Sequence, residues 1–201
     1  MVQITATKQI SWDCVQVTLS MGSSFFVRGC YLQELPMERL VPQETLSELE
    51  LEDLVDAGLA FSAEKAAVTY LGRAEQSRHL LSMKLRKKGH GEVAIAHALD
   101  YLEELSFLCD SRFAAAWLRN RSINHAEGRT KLFSGLLAKG VDKATAIQAL
   151  DQYFETVDQD DVLDRALEKC RRLGKSREAT EKYLMRKGFT YKEIKSKMSN
   201  I

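Results

Sequence analysis

The sequence predicts a mostly α-helical chain: a tandem array of three three-helix repeats in an elongated arc, preceded by a small β-containing N-terminal segment. Three observations carry this. Proline stops at Pro42, and beyond it apolar residues recur at spacings of three and four. The dipeptide Lys-Gly returns three times, and its glycines lie 51 and 48 residues apart, a period at which helical units form arrays. Runs rich in Val, Phe, Trp and Thr are confined to the first 30 residues. The predicted boundaries are 1–60 for the N-terminal segment and 61–107, 108–157 and 158–201 for the repeats.

In chain order, residues 2–30 read as strands. Trp12–Leu19 and Ser24–Arg28 flank a turn at Ser20-Met21-Gly22-Ser23. The alternation is imperfect: Ile10, Trp12 and Cys14 share one face, while Val15, Val17 and Leu19 take the other. That pattern predicts either a bulge or a strand buried on both sides. Pro36 and Pro42 bracket a connector. Leu46, Leu49, Val55 and Leu59 on an acidic background predict a helix, with Gly58 near its end.

The repeats align on the glycine of each Lys-Gly pair: Lys88-Gly89, Lys139-Gly140 and Lys187-Gly188. Eleven positions upstream stand Arg78, Arg129 and Arg177, and four upstream stand Leu85, Leu136 and Leu184. Downstream, Ile95, Ala146 and Ile194 occupy the sixth position, and Leu99, Leu150 and Met198 the tenth. The eighth position upstream holds Leu81 and Leu132, but Thr180 in the third copy. Residues four apart share a helix face. The glycine ends the helix in a left-handed cap, and the lysine complements the negative end of its dipole. A further helix precedes each arginine, at Ala66–Leu71, Arg112–Leu118 and Val162–Cys170. One such unit has little core of its own, so neighbours are expected to stack.

Composition narrows the function classes. With 45% hydrophobic and 28% charged residues in 201, the chain folds and is not disordered. No apolar run is long enough for a membrane span, and the N-terminus lacks the pattern of a secretory signal, so the expected compartment is the cytoplasm. Cys14, Cys30, Cys109 and Cys170 have no metal-ligand spacing and read as ordinary thiols. The net charge of +1 hides an asymmetry: residues 1–60 carry −6, whereas residues 165–201 carry +8. A run of six carboxylates without a base lies between Asp151 and Asp164. Such asymmetry points to a polyanionic partner.

The candidate filament- or nucleic-acid-binding residues are basic and fall into one cluster per repeat. The first holds Arg73, Arg78, Lys84, Arg86, Lys87 and Lys88. The second holds Arg119, Arg121, Arg129, Lys131 and Lys139, and the third Arg171, Arg172, Lys175, Arg177, Arg186 and Lys187. They suit phosphate contacts that carry no sequence readout. A structural alternative stays open for the repeated arginines, each tying its helix to a carboxylate such as Asp100 or Asp151. Trp117, four residues after Phe113, reads as core and not as a base-stacking platform.

Several segments resemble RecX-type regulatory proteins, the bacterial modulators of the RecA recombinase. The first is Arg73-Ala-Glu-Gln-Ser-Arg78, leading through Leu81 and Leu85 to Lys88-Gly89. Next come Leu99-Asp-Tyr-Leu-Glu-Glu-Leu105, Phe107-Leu-Cys-Asp110 and Arg112-Phe-Ala114 with Trp117. The last runs from Glu127-Gly-Arg129 through Leu132 and Leu136 to Lys139-Gly140. The resemblance covers about residues 60–160, and the third repeat follows in register. It departs from the pattern at Thr180 and in the acidic run. It implies a modular arc of three-helix repeats that binds along the groove of the RecA–single-stranded DNA filament. It further implies inhibition of filament extension, ATP hydrolysis, recombination and coprotease activity, within DNA repair and the SOS response.

Catalytic readings find no support. His79, His90, His97 and His125 form no metal motif, and no phosphate-binding loop is present. Glu103-Glu104 and Asp160-Asp161 are adjacent, so on a helix they diverge. The expected protein is a non-enzymatic monomer with no cofactor, no metal and no membrane contact. Two competing readings are a helix-turn-helix DNA-binding regulator and a helical scaffold that binds protein only.

Overall fold

A computed structural model describes residues 2–199; Met1 and the last two residues of the predicted third repeat lie outside it. It is mostly helical, with a small N-terminal β segment. The chain divides into two compact units, residues 1–74 with 81–108 and residues 75–80 with 109–201.

The first unit opens with β1 (Val2–Ser11), β2 (Cys14–Leu19) and β3 (Ser24–Arg28), joined later by the short β4 (Thr45–Leu46). All pairings are antiparallel, in the order β3-β2-β1-β4. Val15, Val17 and Leu19 of β2 are buried, and Val17 pairs with Phe25 across the hairpin. The irregularity expected from the broken alternation is in the β1–β2 register, which shifts between Ile4 and Ala6 and again between Gln9 and Ser11. Trp12 is not a strand residue. It sits in the β1–β2 turn at 91% exposure, while Cys14, expected on its face, is buried.

Helix α1 (Glu48–Leu71) starts with a capping box: Glu50 N–H donates to Ser47 Oγ, and the Glu50 carboxylate accepts from the Ser47 N–H. The sequence places Gly58 near the end of this helix, yet the helix continues to Leu71. Gly58 serves close packing instead, because an added Cβ would stand 3.0 Å from Phe25 Cδ1. The expected apolar face is also displaced. Leu49 and Leu59 are exposed, and Leu54, Ala57, Ala60, Ala63 and Ala67 are buried. Small residues at this spacing bring the helix backbone close to β3 and to α3 (Glu92–Glu104), the elements it packs on most extensively. Two polar anchors fix the arrangement. Asp53 accepts the backbone N–H groups of Gln33, Glu34 and Leu35 at 2.9–3.1 Å. Buried Glu64 accepts two bonds from Arg28, at 3.0 and 2.7 Å, and one from the Tyr31 hydroxyl at 2.9 Å. The Arg28 guanidinium lies 4.8 Å from the Tyr101 ring centre.

The remaining helices are α2 (Arg78–Lys87), α4 (Asp110–Asn124), α5 (Arg129–Leu137), α6 (Lys143–Thr156), α7 (Gln159–Arg172), α8 (Arg177–Arg186) and α9 (Tyr191–Ser199). The aligned repeat positions are core. Leu85, Leu136 and Leu184 are fully buried, as are Ile95, Ala146 and Ile194 and then Leu99 and Leu150. Thr180, the odd member of its position, is buried as well. Gly89, Gly140 and Gly188 have φ of 93°, 80° and 85°. In each copy the residue after the glycine donates to the carbonyl of the repeat leucine, over 3.2–3.3 Å. This is the left-handed helix cap predicted from Lys-Gly.

Candidate nucleic-acid interface

Within the second unit, the start of one repeat's middle helix is joined to the Lys-Gly cap of the next repeat. Ser77 Oγ donates to the Lys139 carbonyl at 2.6 Å, and Gly128 N–H donates to the Lys187 carbonyl at 2.8 Å. Ser77 and Gly128 each stand twelve positions before their own repeat glycine. The approach is tight. A Cβ on Gly128 would meet the Gly188 carbonyl oxygen at 2.5 Å, and one on Gly188 would meet Lys131 Cβ at 2.5 Å. Gly188 therefore permits both a left-handed conformation and the close contact, whereas Gly128, with an ordinary φ of −76°, permits the contact.

The second of these junctions also holds a buried ion cluster. Glu127, with a side chain 2% exposed, accepts from Arg121 at 2.6 and 3.1 Å and from Lys187 at 3.2 Å. Burial works to raise its pKa, but the hydrogen bonds and charges of Arg121 and Lys187 outweigh burial and hold the carboxyl below its ordinary value. The Arg121 guanidinium also lies 5.4 Å from the Trp117 ring centre. Trp117 covers Gly135, where a Cβ would reach the indole at 2.5 Å, and it packs on the second-repeat core as expected.

The predicted basic residues separate into groups. In the first repeat, Arg73, Lys87 and Lys88 are exposed, and Arg86 is bonded to Glu92. Lys84 lies 5.2 Å from the Tyr70 ring centre. Arg78 is half-buried at the start of α2, where its own N–H donates to Asp110 at 2.8 Å. In the second repeat, Arg119 and Lys131 are exposed, and Lys139 contributes its carbonyl to the junction. Arg129 pairs with Asp151 and lies 5.9 Å from the Phe154 ring centre, which realises the ion-pair alternative at that position. In the third repeat, Arg171, Arg172, Lys175, Arg177 and Arg186 are exposed, and Arg177 stands 3.7 Å from Glu181. Arg129 and Arg177 are the first residues of their helices, where a cation opposes the dipole and a nearby carboxylate offsets it.

A cleft of about 790 Å³ opens between the α4–α5 connection and α7, and residues 124–126 form one wall. From α7 come Arg165, Lys169, Arg171 and Arg172, and Tyr183 and Lys187 complete it. Arg165 donates to the Ser122 carbonyl at 3.0 Å. Sequence reasoning missed Arg165 and Lys169, because neither aligns with the repeat positions. The i, i+4, i+7 spacing of Arg165, Lys169 and Arg172 was the available signal. Among the described residues no group of three or more His, Cys, Asp or Glu is placed to hold a metal ion. None of the helices described is long and apolar enough to cross a membrane.

Residues 63–102, from the second half of α1 through α2 to α3, match the family model for the first three-helix domain of RecX. A regulatory protein RecX of Treponema pallidum is 37% identical over 130 residues, covering 65% of this chain and 79% of the relative. The chain belongs to the RecX family. The RecX of Bacillus subtilis strain 168 is 27% identical over 188 residues, 89% of this chain and 71% of the relative. A crystal structure of a regulatory protein RecX superposes with a TM-score of 0.74 at 20% identity, covering 97% of this chain and 98% of that one. RecX from Lactobacillus salivarius gives 0.60 at 23% identity, over 71% and 96%. The first of these structures, matched over 97% of this chain, shows that the fold likeness includes the third repeat.

Proposed function

We propose that this RecX-family protein is a non-catalytic cytoplasmic regulator that binds the RecA–single-stranded DNA filament. In doing so it inhibits filament extension, ATP hydrolysis, recombination and coprotease activity. Membership of a family of regulatory proteins carries the reading. The exposed arginines and lysines of the third repeat support it, because phosphate contacts made by charge suit a filament of any sequence. No cofactor enters the mechanism. The protein acts by occupancy: basic side chains hold the strand while the repeats cover the recombinase surface that the next subunit needs.

The test is RecA ATP hydrolysis on single-stranded DNA with this protein titrated in. Inhibition at concentrations well below that of RecA is expected. Unchanged hydrolysis together with no filament binding would overturn the reading.

A further inference from the structure

We propose that the cleft between α7 and the α4–α5 connection binds the phosphodiester backbone of a single nucleic-acid strand. Arg165, Lys169, Arg171 and Arg172 supply its phosphate contacts, while Arg121, Glu127 and Lys187 act as positioning residues that build the cleft. The proposal deepens the filament reading and rests on it for the identity of the polymer.

The charge inside the cleft is uneven once internal pairs are removed. Asp164 is bonded to Lys197 at 2.8 Å, and Lys187 is bonded to Glu127 at 3.2 Å. What remains is four cations on α7 facing one carboxylate, Glu168, which forms long ion pairs with Arg171 at 4.0 Å and Arg172 at 3.8 Å and leaves an excess of positive charge. Arg165, Lys169 and Arg172 follow one face of α7, so at 1.5 Å per residue they form a row about 10 Å long. A row of cations suits a polymer with charges at intervals, whereas a single phosphate calls for donors that converge on one point. The cleft has a volume of about 790 Å³. Charged grooves of this kind hold single strands without sequence preference.

Two successive repeats form the walls. Residues 124–126 belong to the second repeat and α7 to the third. The Glu127 cluster joins the same two repeats, since Arg121 and Glu127 come from one and Lys187 from the other. Lys187 is therefore assigned to shaping the cleft and not to holding phosphate.

Fluorescence anisotropy of a labelled oligothymidylate, measured across a salt series without RecA, tests this. Arg171→Gln with Arg172→Gln is expected to weaken binding about tenfold at low salt. It should also reduce the log–log salt slope by about 1.4, at about 0.7 per single-strand phosphate contact, without changing the melting temperature. Lys192→Gln with Lys195→Gln, exposed on α9 and outside the cleft, is expected to preserve affinity and slope. Lys187→Gln should lower affinity and melting temperature together at an unchanged slope. A lowered slope with an unchanged melting temperature would instead make Lys187 a phosphate contact and overturn the positioning role. Wild-type affinity and slope in the Arg171/Arg172 variant would overturn the cleft, as would equal displacement of the oligonucleotide by polyglutamate of matched charge. Failure of the cleft leaves wild-type inhibition of RecA intact. Failure of the filament reading leaves oligonucleotide binding intact, so the two are told apart.

Discussion

Glu127 keeps a charge in a side chain 2% exposed because cations from two repeats meet it. Its carboxyl is held below the ordinary value in the folded protein, so it contributes stability above the unfolded value near pH 4.3. That contribution is lost as pH falls through the folded value. Glu127→Gln is expected to cost about 2 kcal/mol at neutral pH and to flatten the acid limb of a urea-midpoint series. An unchanged acid limb would show that the cluster is not coupled to folding. Gly188 offers a second test. Its φ of 85° and the Lys131 backbone at its Cα leave no room for a side chain. Gly188→Ala is expected to cost more than the roughly 1–2 kcal/mol of left-handed strain alone, read as a drop in melting temperature. Gly89→Ala, with nothing within 4 Å of its added Cβ, is expected to cost only that strain.

At the scale of elements, α1 shows how far periodicity carries. A helix here was legible from the apolar spacing, but its buried face was not. Of the residues that predicted it, Leu46 lies in β4 instead, and Leu49 and Leu59 are exposed. The face that packs is the row of alanines around Leu54, because the sheet and α3 lie too close for larger side chains. Leu54→Ala is therefore expected to cost about 2–5 kcal/mol, whereas Leu49→Ala changes stability by less than about 0.5 kcal/mol. Equal effects in chemical denaturation would contradict the assigned face. The repeats were legible in finer detail, because a Lys-Gly cap and leucines four apart are local features. The bonds from Ser77 to Lys139 and from Gly128 to Lys187 were not, since they join residues about 60 positions apart and one donor is a backbone N–H with no side-chain signature.

For the whole molecule, the distribution of charge bears on the proposed partnership. The acidic first 60 residues and the basic last 37 coexist at a net charge of +1, so bulk charge gives little attraction and local clusters must supply it. Binding to RecA filaments is therefore expected to weaken steeply between low and moderate salt. The Arg171/Arg172 variant should lose part of that dependence. A salt-insensitive affinity would favour the protein-only scaffold.

The sequence by itself determined the helical class, the three-repeat frame, the caps and the resemblance to RecX, because each rests on spacing within a helix or across one turn. Only the tertiary structure decided which basic residues are committed to internal carboxylates and which face solvent. Arg121, Arg129 and Lys187 look the same in sequence as Arg119, Arg171 and Arg172. The difference lies in whether a carboxylate such as Glu127 or Asp151 is brought beside them by packing. That depends on how separate helices meet, and a helical period records only which residues face inward.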